Sequence, residues 1–146
     1  MLAAVRISSG SDGRYTSQCI ERQTTMNRLL INAIFPGEPI AWERVMLRGP
    51  YMIKPKKTRK AQAKLRRQLK MVAPTLKPNA LIRFGVQLVF SVSPGPQKDG
   101  DNCEKLVLDA FLKRIWQDDN QVDECQWKMD RNASVPQTHM IVYAIE

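Results

Sequence analysis

Apolar residues recur along the chain with two different periods, and the changes between them mark the elements. The run Leu29-Leu30-Ile31-Asn32-Ala33-Ile34-Phe35 reads as a strand, stopped by the turn signal Pro36-Gly37-Glu38-Pro39. Residues 40 to 56 read as a loop or hairpin, with Tyr51-Met52-Ile53 as a short strand. From Thr58 to Val72 the period lengthens: Ala61, Leu65, Leu69 and Val72 form a narrow helical stripe, closed by Pro74 and Pro78. Alternation returns from Leu81 to Ser93, where Ile82, Phe84, Val86, Leu88, Phe90 and Val92 share one face of a long strand. A second helix is expected from Asp101 or Asn102 to Ile115. Strands over Val122 to Met129 and Thr138 to Ile145 follow. The order predicts an α/β fold of the mixed α+β kind: a small mixed sheet with two helices packed on it.

Residues 1 to 25 show no periodicity and read as a leader, with Met26 directly before the first strand and one domain over 26–146. A chain of 146 residues suits one domain. No apolar run nears the roughly 20 residues that span a bilayer, and the opening Met-Leu-Ala-Ala-Val is too short for a signal-peptide core. Cys19, Cys103 and Cys125 have no paired spacing, which suits reduced thiols in the cytoplasm. A zinc site using Cys103, Cys125 and His139 has no motif spacing behind it.

Charge sharpens the picture. Lys and Arg total 23 against 14 Asp and Glu, a formal charge of +9. Such an excess either points to a polyanion, because neutralising phosphates releases condensed counterions, or only maintains solubility. Lys54, Lys56, Lys57, Arg59, Lys60, Lys64, Arg66, Arg67 and Lys70 fall in one stretch without an acid. Phosphate contact explains that run better than a solvated face, with Tyr51 and Trp42 near for packing or stacking. The expected DNA-facing residues are Arg44, Arg48, Lys54, Lys56, Lys57, Arg59, Lys60 and Asn102.

Against this basic background, nine of the 14 acids lie between Asp99 and Asp130. Asp99-Gly100-Asp101-Asn102 opens the second helix, and Asp118-Asp119 follows it. A helix of about fifteen residues spans roughly 22 Å, so for the pairs to meet the later one must fold back, or its strand must run beside the earlier one. If they meet, several carboxylates share one space and need a cation between them. Hard oxygen donors suit Mg2+, with Mn2+ as an alternative. Such an ion polarises a phosphodiester and activates water. Lys105, four residues after Asp101, can pair with that carboxylate at rest and with a scissile phosphate in reaction. The plainer reading is a helix cap by Asp99 or Asp101, a surface ion pair to Lys105, and a polar turn at 118–119.

The spacing Asp99-Gly100-Asp101-Asn102-x-x-Lys105-x-x-x-Asp109-Ala110, then Trp116-x-Asp118-Asp119-x-x-Val122, resembles the RusA family of Holliday-junction resolvases. Pro36-Gly37-x-Pro39 and Tyr51-x-x-Lys54-Pro55-Lys56-Lys57-Thr58 look like its phage-type branch, and the likeness covers residues 28 to 146. It implies a homodimeric, magnesium-dependent endonuclease, bacterial or phage-encoded, that nicks branched DNA in pairs during recombination and repair. By position, Asp99, Asp101 and Asp119 match the family's essential aspartates and Lys105 its essential lysine. Asp118 fills the other half of the Asp-Asp pair as a further metal ligand; Asn102 and Asp109 match motif positions compatible with a structural role. The sequence departs at Ala41-Trp42-Glu43-Arg44, where the family often carries two or three basic residues. A branched-DNA-binding protein without catalysis, or a flap or fork nuclease, are the competing functions.

Overall fold

Ile31, Ala33 and Phe35 of β1 (Arg28–Pro36) are buried while Asn32 and Ile34 face outward, the two-residue repeat of a half-covered strand. The structure, a computed structural model, describes residues 27–145. The expected leader 1–25 and Met26 lie outside the described residues. β4 (Arg83–Ser91) turns Phe84, Val86, Leu88 and Phe90 to the same side, and β6 (Gln137–Ile145) adds Thr138, Met140, Val142 and Ala144. With β5 (Val122–Asp130) these strands form one sheet in the order β1-β6-β4-β5. Only β4 and β5 run parallel. A parallel pair needs a crossover, and α2 (Gly100–Phe111) lies within it. α1 (Lys56–Val72) packs beside α2. The expected mixed sheet with two helices is therefore observed.

The segment 40–56, read as a loop or hairpin, holds a hairpin separate from the main sheet: β2 (Met46–Arg48) pairs with the expected short strand, β3 (Tyr51–Ile53). Two other local readings change. On α1 the buried positions are Thr58, Gln62 and Leu69, while Val72 is half-exposed. The stripe is rotated because α1 packs against a helix whose carbonyls can be bonded. Gln62 Nε2 donates to Leu106 O at 3.5 Å and Arg66 Nε to Ala110 O at 2.8 Å. The second bond serves a carbonyl in the last turn of α2, which has no intrahelical partner.

The second change matters most for the site. α2 stops at Phe111, short of the expected Ile115. Ile115 N–H still bonds to Phe111 O at 2.9 Å, but Lys113 takes a positive φ of 64° and its N–H bonds forward to Trp116 O at 2.7 Å. This reversal drives Trp116 wholly into the core, where its ring centroid lies 5.9 Å from that of Phe84 and 6.5 Å from that of Phe111. Burying an aromatic of that size stabilises by a few kcal/mol, enough to outweigh a strained residue.

Candidate active site

Asp99 begins the site as the N-cap of α2. Its Oδ1 accepts from Asp101 N–H at 3.1 Å and its Oδ2 from Asn102 Nδ2 at 3.0 Å. Gly100 is buried beneath the Trp127 ring, which occupies the space a Cβ would need. The cap therefore sets the first turn, and Asp101 projects to solvent. Along one face of α2 follow Glu104, Lys105, Leu108 and Asp109, at the three- and four-residue steps that align side chains. Together with Asp119 they line an open cleft of about 300 Å³.

Asp119 reaches that cleft because the reversal after Phe111 returns the chain alongside α2. Gln121 organises the arrival. It is buried, and its Oε1 accepts from the amides of Gln117 at 2.8 Å and Asp118 at 3.0 Å. Its Nε2 donates to Asn79 O at 2.7 Å and Ile82 O at 2.8 Å. Asp118 caps the short 3₁₀ turn Asp119–Gln121, accepting from Asn120 N–H at 2.9 Å. That amide, then the neighbouring Asp119 carboxyl, hold the Asp118 carboxyl below its usual range. Asp118 is thus a cap, while Asp119 faces the cleft.

Of the expected metal ligands, Asp101 and Asp119 line one cleft; Asp99 and Asp118 are caps of the two neighbouring elements and are not among its lining residues. Among the described residues no three carboxylates, imidazoles or thiols already stand close enough to ligate one ion. The donor set nonetheless fits a hard cation. Asp101, Glu104, Asp109 and Asp119 all face the same small volume, and magnesium needs only one or two carboxylates plus substrate phosphate. The zinc alternative is not met: buried Cys103 lies on α2, whereas His139 lies on β6 bonded to Asn32 at 2.7 Å. Burial also pushes the Cys103 thiol up to about 11, and the Cys125 thiol higher, with Glu104 adding to the second shift.

Lys105 differs from its expected resting state. It makes no ion pair with Asp101 among the described residues; its Nζ lies 3.8 Å from the centroid of the Trp42 ring. Asn102 bonds to the cap residue Asp99. Arg44, Arg48, Lys54, Lys56, Lys57, Arg59 and Lys60 are all exposed. Lys57 lies 4.0 Å from Glu43, so the acid that interrupts the loop after β1 faces the basic helix. Arg66, within the cation run, is committed to the helix–helix contact.

Two contributors escaped the reading of the sequence. Glu104 shares the cleft face three residues after Asp101, a spacing visible in the sequence. Gln121 stands three residues after Asp118, which is capping-box spacing. Nothing local announces that its side chain also bonds to residues before β4.

A basic α+β domain that carries a cleft lined by carboxylates has the makings of a nuclease. The family model described as Endodeoxyribonuclease RusA matches residues 36–143. The chain belongs to the RusA family of endodeoxyribonucleases, so it is an enzyme that hydrolyses DNA, and Holliday-junction resolution is the activity the family implies. A search of curated proteins gives no match. No helix among the described residues is long and apolar enough to cross a membrane.

Proposed function

We propose that the cleft along α2 is the catalytic centre of a magnesium-dependent Holliday-junction resolvase acting in recombination and repair inside the cell, with manganese as a possible substitute. The observation that carries this reading is the convergence of Asp101 and Asp119 on one cleft from opposite ends of the crossover. Asp101 and Asp119 hold the ion. Asp99 can add an oxygen, since two accepted bonds leave a carboxylate about two of its roughly four lone-pair sites; Asp118 adds negative charge beside Asp119. When bound, the ion supplies charge neutralisation and lowers the pKa of an attacking water. Lys105 stabilises charge on the scissile phosphate. Arg44, Arg48, Lys54, Lys56, Lys57, Arg59 and Lys60 grip backbone phosphates, and Asn102 steadies the start of α2 beside them. Two nicks on opposed strands need two such centres, which calls for a symmetric homodimer.

The test incubates the protein with a synthetic four-way junction, a linear duplex and a flap, each with magnesium or with EDTA. Paired junction nicks only in magnesium are expected. Junction binding without cleavage in either condition, or cutting of the flap with the junction spared, overturns the proposal.

A further inference from the structure

Asp101 and Asp109 stand one turn to either side of Lys105 on the same face of α2. A lysine so placed is ordinarily drawn to such carboxylates. Here the ammonium lies over an indole instead, 3.8 Å from the ring centroid. The indole is held by a strap between β1 and the β2–β3 hairpin. The backbone N–H of Trp42 donates to Asn102 O at 2.9 Å, and that of Glu43 donates to Thr58 Oγ1 at 3.3 Å. Upstream, Gly37 N–H donates to Pro136 O at 3.1 Å, and the Glu38 carboxylate accepts from Ser93 and Lys98. Anchors thus bind the strap to β6's approach, to the loop after β4 and to both helices. The Trp42 Nε1 is buried without a partner, so no hydrogen bond to that nitrogen accounts for where the ring sits. What the indole does contact is a cation, through its electron-rich face.

We infer that Trp42 is a positioning residue for Lys105. The indole face keeps the ammonium at the mouth of the cleft, clear of the carboxylates, which leaves Asp101 and Asp119 open to a divalent cation. A cation–π contact is weaker than an ammonium–phosphate pair in a desolvated site, so an arriving phosphate oxygen can take the lysine from the ring. The inference rests on the role of Lys105 proposed above.

Two measurements on the full chain test it. In NMR spectra of the free protein, the Lys105 side-chain methylene protons should show an upfield ring-current shift that Trp42→Leu abolishes and Trp42→Phe partly keeps. In single-turnover cleavage of a four-way junction, Trp42→Leu should slow nicking about tenfold, the scale of a partly desolvated cation–π contact. Junction affinity should stay within about twofold and Trp42→Phe should recover most of the rate. In a Lys105→Ala background, Trp42→Leu should add nothing further. Equal slowing by Trp42→Leu with and without Lys105 overturns the inference, as does an unshifted Lys105 resonance. If Lys105→Ala nicks at the wild-type rate although the wild-type protein shows the ring-current shift, the inference also fails, and the fault lies with the role given to the lysine rather than with the contact.

Discussion

Asp119 opens on the same cleft as Asp101, although a helix, a reversed turn and a buried tryptophan separate them along the chain. Their convergence makes each carboxylate testable alone. Asp101→Asn and Asp119→Asn should each lower junction nicking by on the order of a hundredfold or more, the scale of losing a preorganised electrostatic group. Junction binding, followed by gel shift in calcium or EDTA, should persist. Full nicking by Asp101→Asn would remove its assignment as a metal ligand.

Gln121 offers a way to disturb the acidic turn without touching a carboxylate. Gln121→Leu leaves two amides and two carbonyls without their partner. The expected loss of stability is about 2–4 kcal/mol, read from urea unfolding. Below its melting transition the variant should also nick roughly tenfold more slowly, because Asp119 is no longer held in place. A stability unchanged within error would refute the hub role.

The cations should divide into two groups. Lys57→Ala with Arg59→Ala should weaken junction binding and flatten its dependence on salt, with the log–log slope falling by about 2. Arg66→Ala should behave otherwise, lowering the melting temperature while leaving the slope nearly unchanged, since its guanidinium bonds to Ala110 O. Titrations at several salt concentrations decide; identical slopes for both variants would contradict this division.

Gly100 is tested by adding one methyl group. Alanine is normally worth up to about 1 kcal/mol over glycine within a helix. Here a Cβ would overlap the Trp127 ring, so Gly100→Ala should destabilise by about 1–3 kcal/mol instead. The penalty should shrink in a Trp127→Ala background. A stabilised Gly100→Ala would mean that the ring does not rest on the helix start.

Acid should loosen the strap that carries Trp42. Burial pushes the Glu38 carboxyl up, but Lys98 and Ser93 outweigh it and hold it below its usual range. A carboxyl depressed in the folded state contributes stability that is present above its unfolded pKa and lost as pH falls through its folded value. The melting-temperature gap between wild type and Glu38→Gln should therefore be widest near neutral pH and close below about pH 4.5. A gap constant with pH would show that the carboxylate's charge is irrelevant there.

Much of this molecule is legible in its sequence, because period-two and helical repeats are short-range consequences of backbone geometry. The strands holding Phe84, Val86, Leu88 and Phe90 or Met140 and Val142 follow from alternation alone, and the spacing from Asp99 through Lys105 to Asp119 carries the family resemblance. Tertiary packing decided the rest. Burial of Trp116 ended α2 early and returned Asp119 to the cleft; contact between the helices committed Arg66 and buried Gln62; the strap put an indole, not a carboxylate, under Lys105. Each of these outcomes depends on which distant surfaces exclude water together, and residue spacing along the chain does not encode that.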